Sequence, residues 1–562
     1  MTTGDIFSRL ALALEVPHEG HVEPSILENP DLEPMLPSRR TWGFWSFFGY
    51  WAVPNITIWT WSTGSAMLAL GLNIQHTMGA LTIGNIIIIV YTCLNSTMGA
   101  KYHIGYTVCQ RIIFGIYGSG IGIVIRIILS IVFYGSQSWL GLGLVVAFSS
   151  FSENFLNMKN TFPESVAMTT RDFIGFLCFQ IIQLFFYFMK PEKMDRYVNV
   201  SCLFAGISFV AIFATCLAKN GGPGTVYYEK VTLSKAKTGW MWLYSMTIWY
   251  GALSPDVTNQ SDFSRFASSK KKMYLGIVVS VLTSGTLVPL FGLICASATK
   301  DLYGSELWLP TDIVLRWLDE NYSSGLRAAA FFLGLAFASS QLTFNVLANG
   351  FAGGMDLSGI SPKYINIRRG AIITALLSWV VQPWKFYNTS SVFISVMSSF
   401  GVIVTPIISI LIADFSVIRR SVIPLQDLYS TSPSGTFYFT KGFNFRAISV
   451  WLAGVVPGIP ALIASVQNTN IPVGLSNFFY GNIVFAFFCP FVLYIIVCKV
   501  FPPGNLGVSD KEDYFNAFTP KEREELEMDP SEVIEGIEEE KENVDLNSSL
   551  KKQDVNNVIY EV

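Results

Sequence analysis

The sequence predicts an all-α polytopic membrane protein that crosses the bilayer about twelve times. Charged residues make up 14% of the 562-residue chain, whereas soluble domains carry about 25%. The mean hydropathy is +0.44. Apolar runs of about 20 residues, long enough to cross roughly 30 Å of hydrocarbon, recur along the whole sequence. These observations exclude a soluble domain with one hydrophobic core.

The apolar runs divide the chain into two groups of five spans, a further pair of spans and two tails. The spans are expected at residues 44–71, 78–98, 119–149, 172–190, 197–218, 238–268, 273–297, 326–350, 370–384, 391–417, 447–467 and 477–500. The corresponding regions are an N-terminal tail (1–43), a first repeat (44–218), a second repeat (238–417), two additional helices (447–500) and a C-terminal tail (501–562).

The C-terminal tail, residues 501–562, holds 17 acidic and 6 basic residues. This composition has too much charge and too few aromatic residues to bury a core, so we expect a disordered tail that is available to trafficking machinery. An even number of spans places both tails on one side of the membrane. Loops on that side carry more Lys and Arg than the others, which predicts cytosolic termini. Asn321 then lies in an outer loop, as a glycosylation acceptor or an unused sequon.

Proline interrupts the first and the sixth expected span, which lie five helices apart. Pro54-Asn55 interrupts the first span, and Ser254-Pro255-Asp256 interrupts the sixth. Non-helical backbone is stable within a membrane only where it is buried in protein or lines a cavity. Broken helices at corresponding positions of two repeats indicate the binding site of a transporter. We therefore expect a five-plus-five repeat whose two breaks form the site and its gates; ordinary proline kinks are the alternative.

Two pairs of side chains within the spans have the spacing of a binding site. Phe133 and Gln137 lie four residues apart on one face of the third span, where a ring and an amide suit a flat heterocycle. Asn345 and Asn349 have the same spacing on the eighth span. Polar groups within a membrane are costly and therefore indicate function. The three amides either read the edge of a substrate or hydrogen-bond neighbouring helices.

Other candidate residues lie near the two breaks. Trp59 and Trp249 are expected to enclose a planar or cationic ligand, although tryptophans also line membrane interfaces. Ser340 and Thr343 either hold a small cation or bind neighbouring helices. Asp256 pairs with a cationic substrate, carries a coupling proton, or caps the second half of the sixth helix.

Several classes of protein lack support in the sequence. It contains no G-x-x-x-x-G-K-[ST] motif, so ATP-driven transport is not expected, and no H-E-x-x-H motif or nucleophile–base pair indicates an enzyme. The eight cysteines lie within or beside apolar runs and are expected to be buried thiols. We expect no catalytic residue, cofactor, metal or nucleic-acid partner; the expected partners are the lipid bilayer and a small heterocyclic substrate.

Several stretches of the chain resemble the fungal branch of the nucleobase:cation symporter-1 family. They include QRIIFGIYGSGIGIVIR, YGSQSWLG, NQSDFSRF, GFAGGMDLSGISPKYINIRRG and VMSSFGVIVTPIISILIADF, in order, within about residues 30–515. This branch contains uracil, uridine and allantoin permeases and thiamine and nicotinamide riboside transporters. The resemblance implies a leucine-transporter-type inverted repeat with two additional helices, and proton-coupled uptake at the plasma membrane.

The resemblance also assigns roles to individual residues. Positions that contact substrate in the family match Phe133, Gln137, Asn345, Asn349 and, more loosely, Trp249. Sodium-site positions match Ser340, Thr343 and Phe344. Because a phenyl ring has no hydroxyl to bind sodium, the match favours protons over sodium as the coupling cation.

The substrate stays open between two groups. The stretches NPDLEPMLPSRRTWGFWS and YFTKGFNFRAISVWLAGVVPGIP are most similar to thiamine and nicotinamide riboside transporters. The polar residues Gln137, Asn345 and Asn349 are more similar to uracil, uridine and allantoin permeases. The expected function is import of a heterocycle from one of these groups. A nutrient receptor that signals through its cytosolic tail without transport is the alternative.

Overall fold

The computed structural model describes residues 31–189, 194–467 and 469–529, together with residues 15, 27 and 28. Across these residues the chain is helical, and its only β-structure is two isolated bridges. The all-α fold class is therefore confirmed. Most of residues 1–30 and all of residues 530–562 lie outside the described residues. Of the C-terminal tail that the composition predicts to be disordered, the structure therefore describes only residues 501–529.

Nine helices in the described part of the chain are long and apolar enough to cross a membrane. They are Ile74–Tyr102, Ser119–Phe151, Glu164–Phe186, Arg196–Asn220, Lys270–Tyr303, Ser324–Ile360, Ser390–Ile418, Phe445–Ser465 and Asn482–Val500. These nine helices correspond to the second to fifth, seventh, eighth and tenth to twelfth expected spans.

The three remaining expected spans are also helical. The first consists of Phe44–Asn55 and Ile58–Ala66, the sixth of Lys235–Thr258 and Gln260–Ser264, and the ninth of Ile367–Leu377 with a 3₁₀ turn at Ser378–Val381. Helix therefore occupies all twelve expected segments. Shorter helices lie between or after the spans, at Tyr106–Phe114, Pro310–Glu320, Pro383–Tyr387, Val473–Tyr480 and Pro520–Glu525.

The first span breaks where the sequence predicts. Its first half contains Pro54 and ends at Asn55, and its second half begins at Ile58. The carbonyl oxygen of Pro54 accepts hydrogen bonds from the hydroxyls of Thr57 (2.9 Å) and Thr60 (2.6 Å). These side chains satisfy backbone groups that the interrupted helix leaves without partners.

The sixth span does not break at Ser254-Pro255-Asp256, so that prediction is wrong. The helix continues through Pro255 to Thr258. Proline has no N–H to bond the carbonyl one turn earlier, but the Ser254 hydroxyl donates to that carbonyl, on Gly251, at 3.0 Å. The break follows at Asn259, and Asp256 lies inside the helix instead of capping its second half.

A side chain of the second span caps the last carbonyl groups of the sixth helix, which ends at Thr258. The Asn95 amide donates to the carbonyl oxygens of Val257 (2.7 Å) and Thr258 (3.0 Å). The Trp51 indole, from the first half of the first span, donates to Gln260 at 3.2 Å. The two broken spans therefore contact each other at their interruptions.

The two terminal segments pack against the bundle where they are described, so the prediction of a disordered C-terminal tail is wrong for residues 501–529. Trp42 is buried and its backbone N–H donates to the Phe266 carbonyl at 3.0 Å. In the C-terminal segment, Phe518 is only 3% and Leu526 7% exposed. The prediction rested on the net charge of residues 501–562, which does not reveal the few apolar side chains in this segment. Burial of these side chains stabilises the packed conformation of residues 501–529.

Glu522 joins both terminal segments to the end of the second span. Its carboxylate accepts from Arg40 at 2.8 Å and lies 3.1 Å from the Nε2 atom of His103. Partial burial by itself raises the pKa of Glu522, but hydrogen bonds from His103, Thr519 and Arg40 outweigh burial and hold this pKa well below its usual value. The carboxylate is therefore ionised at neutral pH, and the described parts of both terminal segments lie at the same end of the bundle.

The sixth and tenth spans approach each other too closely for any side chain at Gly251. A Cβ atom there would overlap the carbonyl oxygen of Met397, whereas one at Gly239, on the same helix, would meet nothing within 4 Å. We predict that Gly251→Ala destabilises the protein by about 1–3 kcal/mol through overpacking. Gly239→Ala is the matched control and should leave stability and surface abundance unchanged. Equal thermal stability of the two variants would contradict this packing.

Candidate functional site

A π-helical segment interrupts the eighth span and carries both predicted asparagines. It runs over Asn345–Phe351, between the α-helical stretches Ser324–Phe344 and Ala352–Ile360. The Asn349 amide donates to the Asn345 side-chain oxygen at 2.9 Å, so the two residues share one face as predicted. Single π-helical turns are frequent at functional sites because they redirect side chains from the regular helical positions.

Asn345 connects the eighth span to the third and fourth spans. Its amide nitrogen lies 2.5 Å from the Gln183 side-chain oxygen and 2.9 Å from the Ser138 hydroxyl. Gln183 in turn donates to Ser138 at 3.0 Å and more weakly to Gln180 at 3.4 Å. Asn345 is therefore held in place by side chains of the third and fourth spans.

Gln137 bonds with Gln341, which the sequence analysis did not identify. The Gln341 amide nitrogen donates to the Gln137 side-chain oxygen. The other polar atoms of the pair, Nε2 of Gln137 and Oε1 of Gln341, are buried and have no hydrogen-bond partner within the described residues. A buried amide donor and acceptor without partners are costly. The pair therefore offers one donor and one acceptor to a bound molecule.

Three aromatic rings lie beside these amides. Trp59 from the second half of the first span meets Phe133 edge to face, with ring centroids 5.1 Å apart. Phe133 also packs against Phe400 of the tenth span at 4.2 Å. All three rings are buried. We call Trp59, Phe133, Gln137, Gln341, Asn345 and Asn349, together with Gln183 and Phe400, the central cluster.

The structure does not bring Trp249 to the central cluster. Its indole N–H donates to Asn85 of the second span at 2.7 Å, and its ring lies against Gly285 of the seventh span. The expected stacking of Trp249 on a substrate is therefore unsupported. The family resemblance matched position 249 only loosely. In the structure Trp249 lies on the helix face that packs against the second and seventh spans.

The sequence analysis also missed four members or neighbours of the cluster. Gln180 and Gln183 lie three residues apart in the apolar fourth span, a spacing that places both on one helix face. This pattern was visible in the sequence. Gln341 and Phe400 show no such spacing in the sequence. Their place in the central cluster depends on which helices pack together, and the sequence pattern does not give this packing.

The two hydroxyls proposed for a cation point in different directions. Ser340 donates to the carbonyl oxygen of Ile56, at the break of the first span, with a distance of 2.6 Å. Thr343 instead lies 2.7 Å from the Ser201 hydroxyl of the fifth span. Phe344 presents a ring to Trp59, with centroids 6.0 Å apart. Only Ser340 therefore reaches the broken helix as expected.

A second buried cluster contains opposite charges and lies nearer the end of the bundle that carries the described terminal segments. The Arg126 guanidinium is 3.5 Å from the Asp356 carboxylate, and their side chains are 1% and 0% exposed. Ser130 also donates to Asp356, at 3.3 Å. Arg126 also donates to the carbonyl oxygen of Pro255, the neighbour of Asp256 in the sixth span, at 3.4 Å. The cluster therefore joins the third, sixth and eighth spans through charges that lipid would not tolerate alone.

Interrupted first and sixth spans, together with a buried cluster of amides and aromatic rings between other spans, are typical of a polytopic membrane transporter. The family described as permeases for cytosine/purines, uracil, thiamine and allantoin matches residues 34–484. Thiamine transporter THI72 of Saccharomyces cerevisiae is 42% identical over 540 residues, covering 95% of this chain and 90% of that protein. Nicotinamide riboside transporter 1 of the same yeast is 42% identical over 539 residues, with the same coverage.

More distant relatives agree with this assignment. The allantoin permease of Saccharomyces cerevisiae is 29% identical over 495 residues, covering 86% of this chain and 78% of that protein. The fold matches Mhp1, a nucleobase-cation-symport-1 family transporter solved in a closed conformation with bromovinylhydantoin bound. The TM-score is 0.65 at 18% identity, over 89% of this chain and 99% of Mhp1. The chain belongs to the nucleobase:cation symporter-1 family of permeases.

Proposed function

We propose that this protein imports thiamine, nicotinamide riboside or a closely related vitamin heterocycle across the plasma membrane. The observation that carries the proposal is the contrast in similarity along nearly the same length of chain. Identity is 42% to a thiamine and to a nicotinamide riboside transporter, but 29% to an allantoin permease and 27% to a uridine permease. Substrate choice is the property that divides these relatives.

The central cluster supplies chemistry that suits such a substrate. The aminopyrimidine of thiamine and the carboxamide of nicotinamide riboside each present a donor and an acceptor on one edge. The partnerless nitrogen of Gln137 and oxygen of Gln341 complement that edge. Trp59 and Phe133 would pack against the ring. Uracil offers a similar edge, so the cluster supports a flat heterocycle and the relatives support the vitamin group.

We further propose that protons drive the import. Thr343 is turned toward the fifth span and Phe344 has no hydroxyl, which weakens a sodium site. Asp256 and Asp356, beside Arg126, are buried carboxylates that can bind and release a proton.

Uptake should therefore respond to the proton gradient and not to sodium. Replacing external sodium by N-methylglucamine should leave uptake unchanged. A protonophore should lower accumulation about tenfold or more, because each 100 mV of driving force is worth about 2.3 kcal/mol per charge. The rate of uptake is measured as the initial rate, and the accumulation as the plateau level, of labelled substrate in the cells. Uptake that survives the protonophore and fails without sodium would contradict proton coupling.

The substrate is tested by parallel uptake of labelled thiamine, nicotinamide riboside, uracil, uridine and allantoin. The cells should lack their own carriers, and an empty-vector strain is the control. We expect accumulation of thiamine or nicotinamide riboside. Accumulation of uracil, uridine or allantoin alone would contradict the proposal and would mean that the amides of the central cluster select a neutral ligand.

Truncation separates a transporter from a receptor that only signals. Because residues 501–529 pack against the bundle, the cut belongs after Asp529. A transporter truncated there should keep its uptake. A receptor that signals through the acidic tail would lose its output and would show no uptake in the full-length protein either.

A further inference from the structure

A cavity lies at the end of the bundle opposite both terminal segments. Its volume is about 360 Å³, within the usual range of about 300–1,000 Å³ for ligand pockets. The end of the third span, the start of the fourth, the helix Pro310–Glu320 and the loop between the ninth and tenth spans form its walls. With cytosolic termini, this cavity faces the outside of the cell.

The cavity lies close to the central cluster along the third span. Trp139, in its wall, follows Gln137 by two residues. The hydroxyl of Tyr387, which also borders the cavity, lies 2.7 Å from the hydroxyl of Ser136, the residue before Gln137. A molecule in this outer cavity is therefore separated from the central cluster by about one helical turn.

Aromatic rings supply part of the lining. Trp139, Trp384 and Tyr387 all border the cavity. The ring centroids of Trp139 and Trp384 are 6.3 Å apart and inclined at 60°. Aromatic faces attract cations through the ring quadrupole, most strongly for tryptophan. This wall therefore suits a flat ligand that carries positive charge.

Charged side chains of the cavity leave a surplus of negative charge. Among the described residues that border it, Glu164, Asp172 and Asp312 are acidic and Arg171 alone is basic. Asp172 is already compensated, because it lies 3.6 Å from Arg171 and accepts from the Thr169 hydroxyl at 2.6 Å.

Asp312 has no such compensation. Burial, and then the charge of Asp172, raise the pKa of Asp312 to about 7, opposed only in part by Arg171. Within the described part of the chain, no hydrogen bond to the Asp312 carboxylate lowers its pKa. Asp312 is partly exposed to the cavity, so a cation bound there would lie against its carboxylate and stabilise the ionised form.

We propose that this cavity is an outer binding site for a cationic aromatic heterocycle, with Asp312 facing the cationic nitrogen and Trp139 and Trp384 packing against the ring. The inference rests on the proposed function, because it explains how the two substrate groups are told apart. The thiazolium of thiamine and the pyridinium of nicotinamide riboside carry permanent positive charge. Uracil, uridine and allantoin are neutral at pH 7. The outer site captures the cations before they reach the central cluster and so lowers their KM.

The test compares Asp312→Asn with Asp319→Asn, an exposed carboxylate on the same helix. Initial uptake rates are measured with thiamine and nicotinamide riboside. Uncharged shape analogues, 3-deazathiamine and reduced nicotinamide riboside, serve as competitors. We expect Asp312→Asn to raise the KM of both cations about tenfold, a loss of about 1.4 kcal/mol, with Vmax unchanged. Asp319→Asn should match the wild type, and Asp312→Glu should restore a low KM.

Inhibition by the neutral competitors distinguishes charge recognition from distortion of the fold. Their inhibition constants should be unchanged in Asp312→Asn. An unchanged KM for the cations, or an equal weakening of cations and neutral analogues, would overturn the outer site. If Asp312→Asn fails to reach the surface, Asp312→Ser, which also removes the charge, replaces it and carries the same expectation. Wild-type protein that takes up neither cation would instead refute the proposed function, and this outcome is visible without any variant.

Discussion

Replacing Arg126 by methionine should remove most of the folded protein from the membrane. Arg126 is the cation facing Asp356 at 3.5 Å, with both side chains almost fully buried. Breaking a buried ion pair from one side costs about 3–5 kcal/mol, because the partner charge stays buried without compensation. That cost is a large share of the roughly 5–15 kcal/mol by which folded proteins are stable. Surface abundance and thermal unfolding in detergent measure the effect.

Two further variants make this prediction specific. Arg126→Met combined with Asp356→Asn removes both charges and should recover much of the lost abundance. Arg316→Met is the control, since Arg316 is 52% exposed and its pair with Glu320 lies at the surface, where ion pairs contribute little. Wild-type abundance of the Arg126→Met single variant would contradict the structural role given to this cluster.

Gln137→Ala should abolish uptake while the protein still reaches the plasma membrane. The substitution removes the partnerless donor proposed to read the substrate edge and frees Gln341 from its bond. Sites built to hydrogen-bond a ligand lose about 10²-fold or more when that bond is lost. Asn349→Ala, at the end of the amide chain, should have the same effect because it leaves the buried side-chain oxygen of Asn345 without its donor. Uptake per surface molecule is the quantity to compare.

Gln180→Ala is a matched control for these amide variants. It removes a buried amide of the same hydrogen-bonded chain, at the end that contacts Ser378 at 3.3 Å instead of the aromatic rings. We expect modest destabilisation with most uptake retained. Wild-type uptake by a correctly localised Gln137→Ala/Asn349→Ala double variant would disprove the assignment of the central cluster.

Helix positions followed from the sequence because long apolar runs have few alternatives in a membrane. The position of a break was less predictable. Pro54 and Pro255 look alike in the sequence, yet only the first lies directly beside a break. The difference arises from Ser254, whose hydroxyl replaces the hydrogen bond that proline cannot make. Local bonds of this kind decide whether a proline ends a helix, and their geometry cannot be read from spacing alone.

The candidate site was predictable to the extent that it lies on single helices. Spacings of four residues identified the Phe133–Gln137 and Asn345–Asn349 pairs. Gln341 became visible only when the third and eighth spans were packed together. Asp312 is one of many loop carboxylates in the sequence, and its cavity is formed by four separate parts of the chain.

Transport by purified protein in liposomes is the most direct measurement. The liposomes carry an imposed proton gradient, acidic outside, and receive labelled thiamine or nicotinamide riboside, with uridine as the neutral comparison. We predict that the cations accumulate above their external concentration, that a protonophore abolishes the accumulation, and that uridine does not accumulate. Accumulation of uridine alone, or binding of the cations without any accumulation, would contradict the proposal that this permease is a proton-driven vitamin importer.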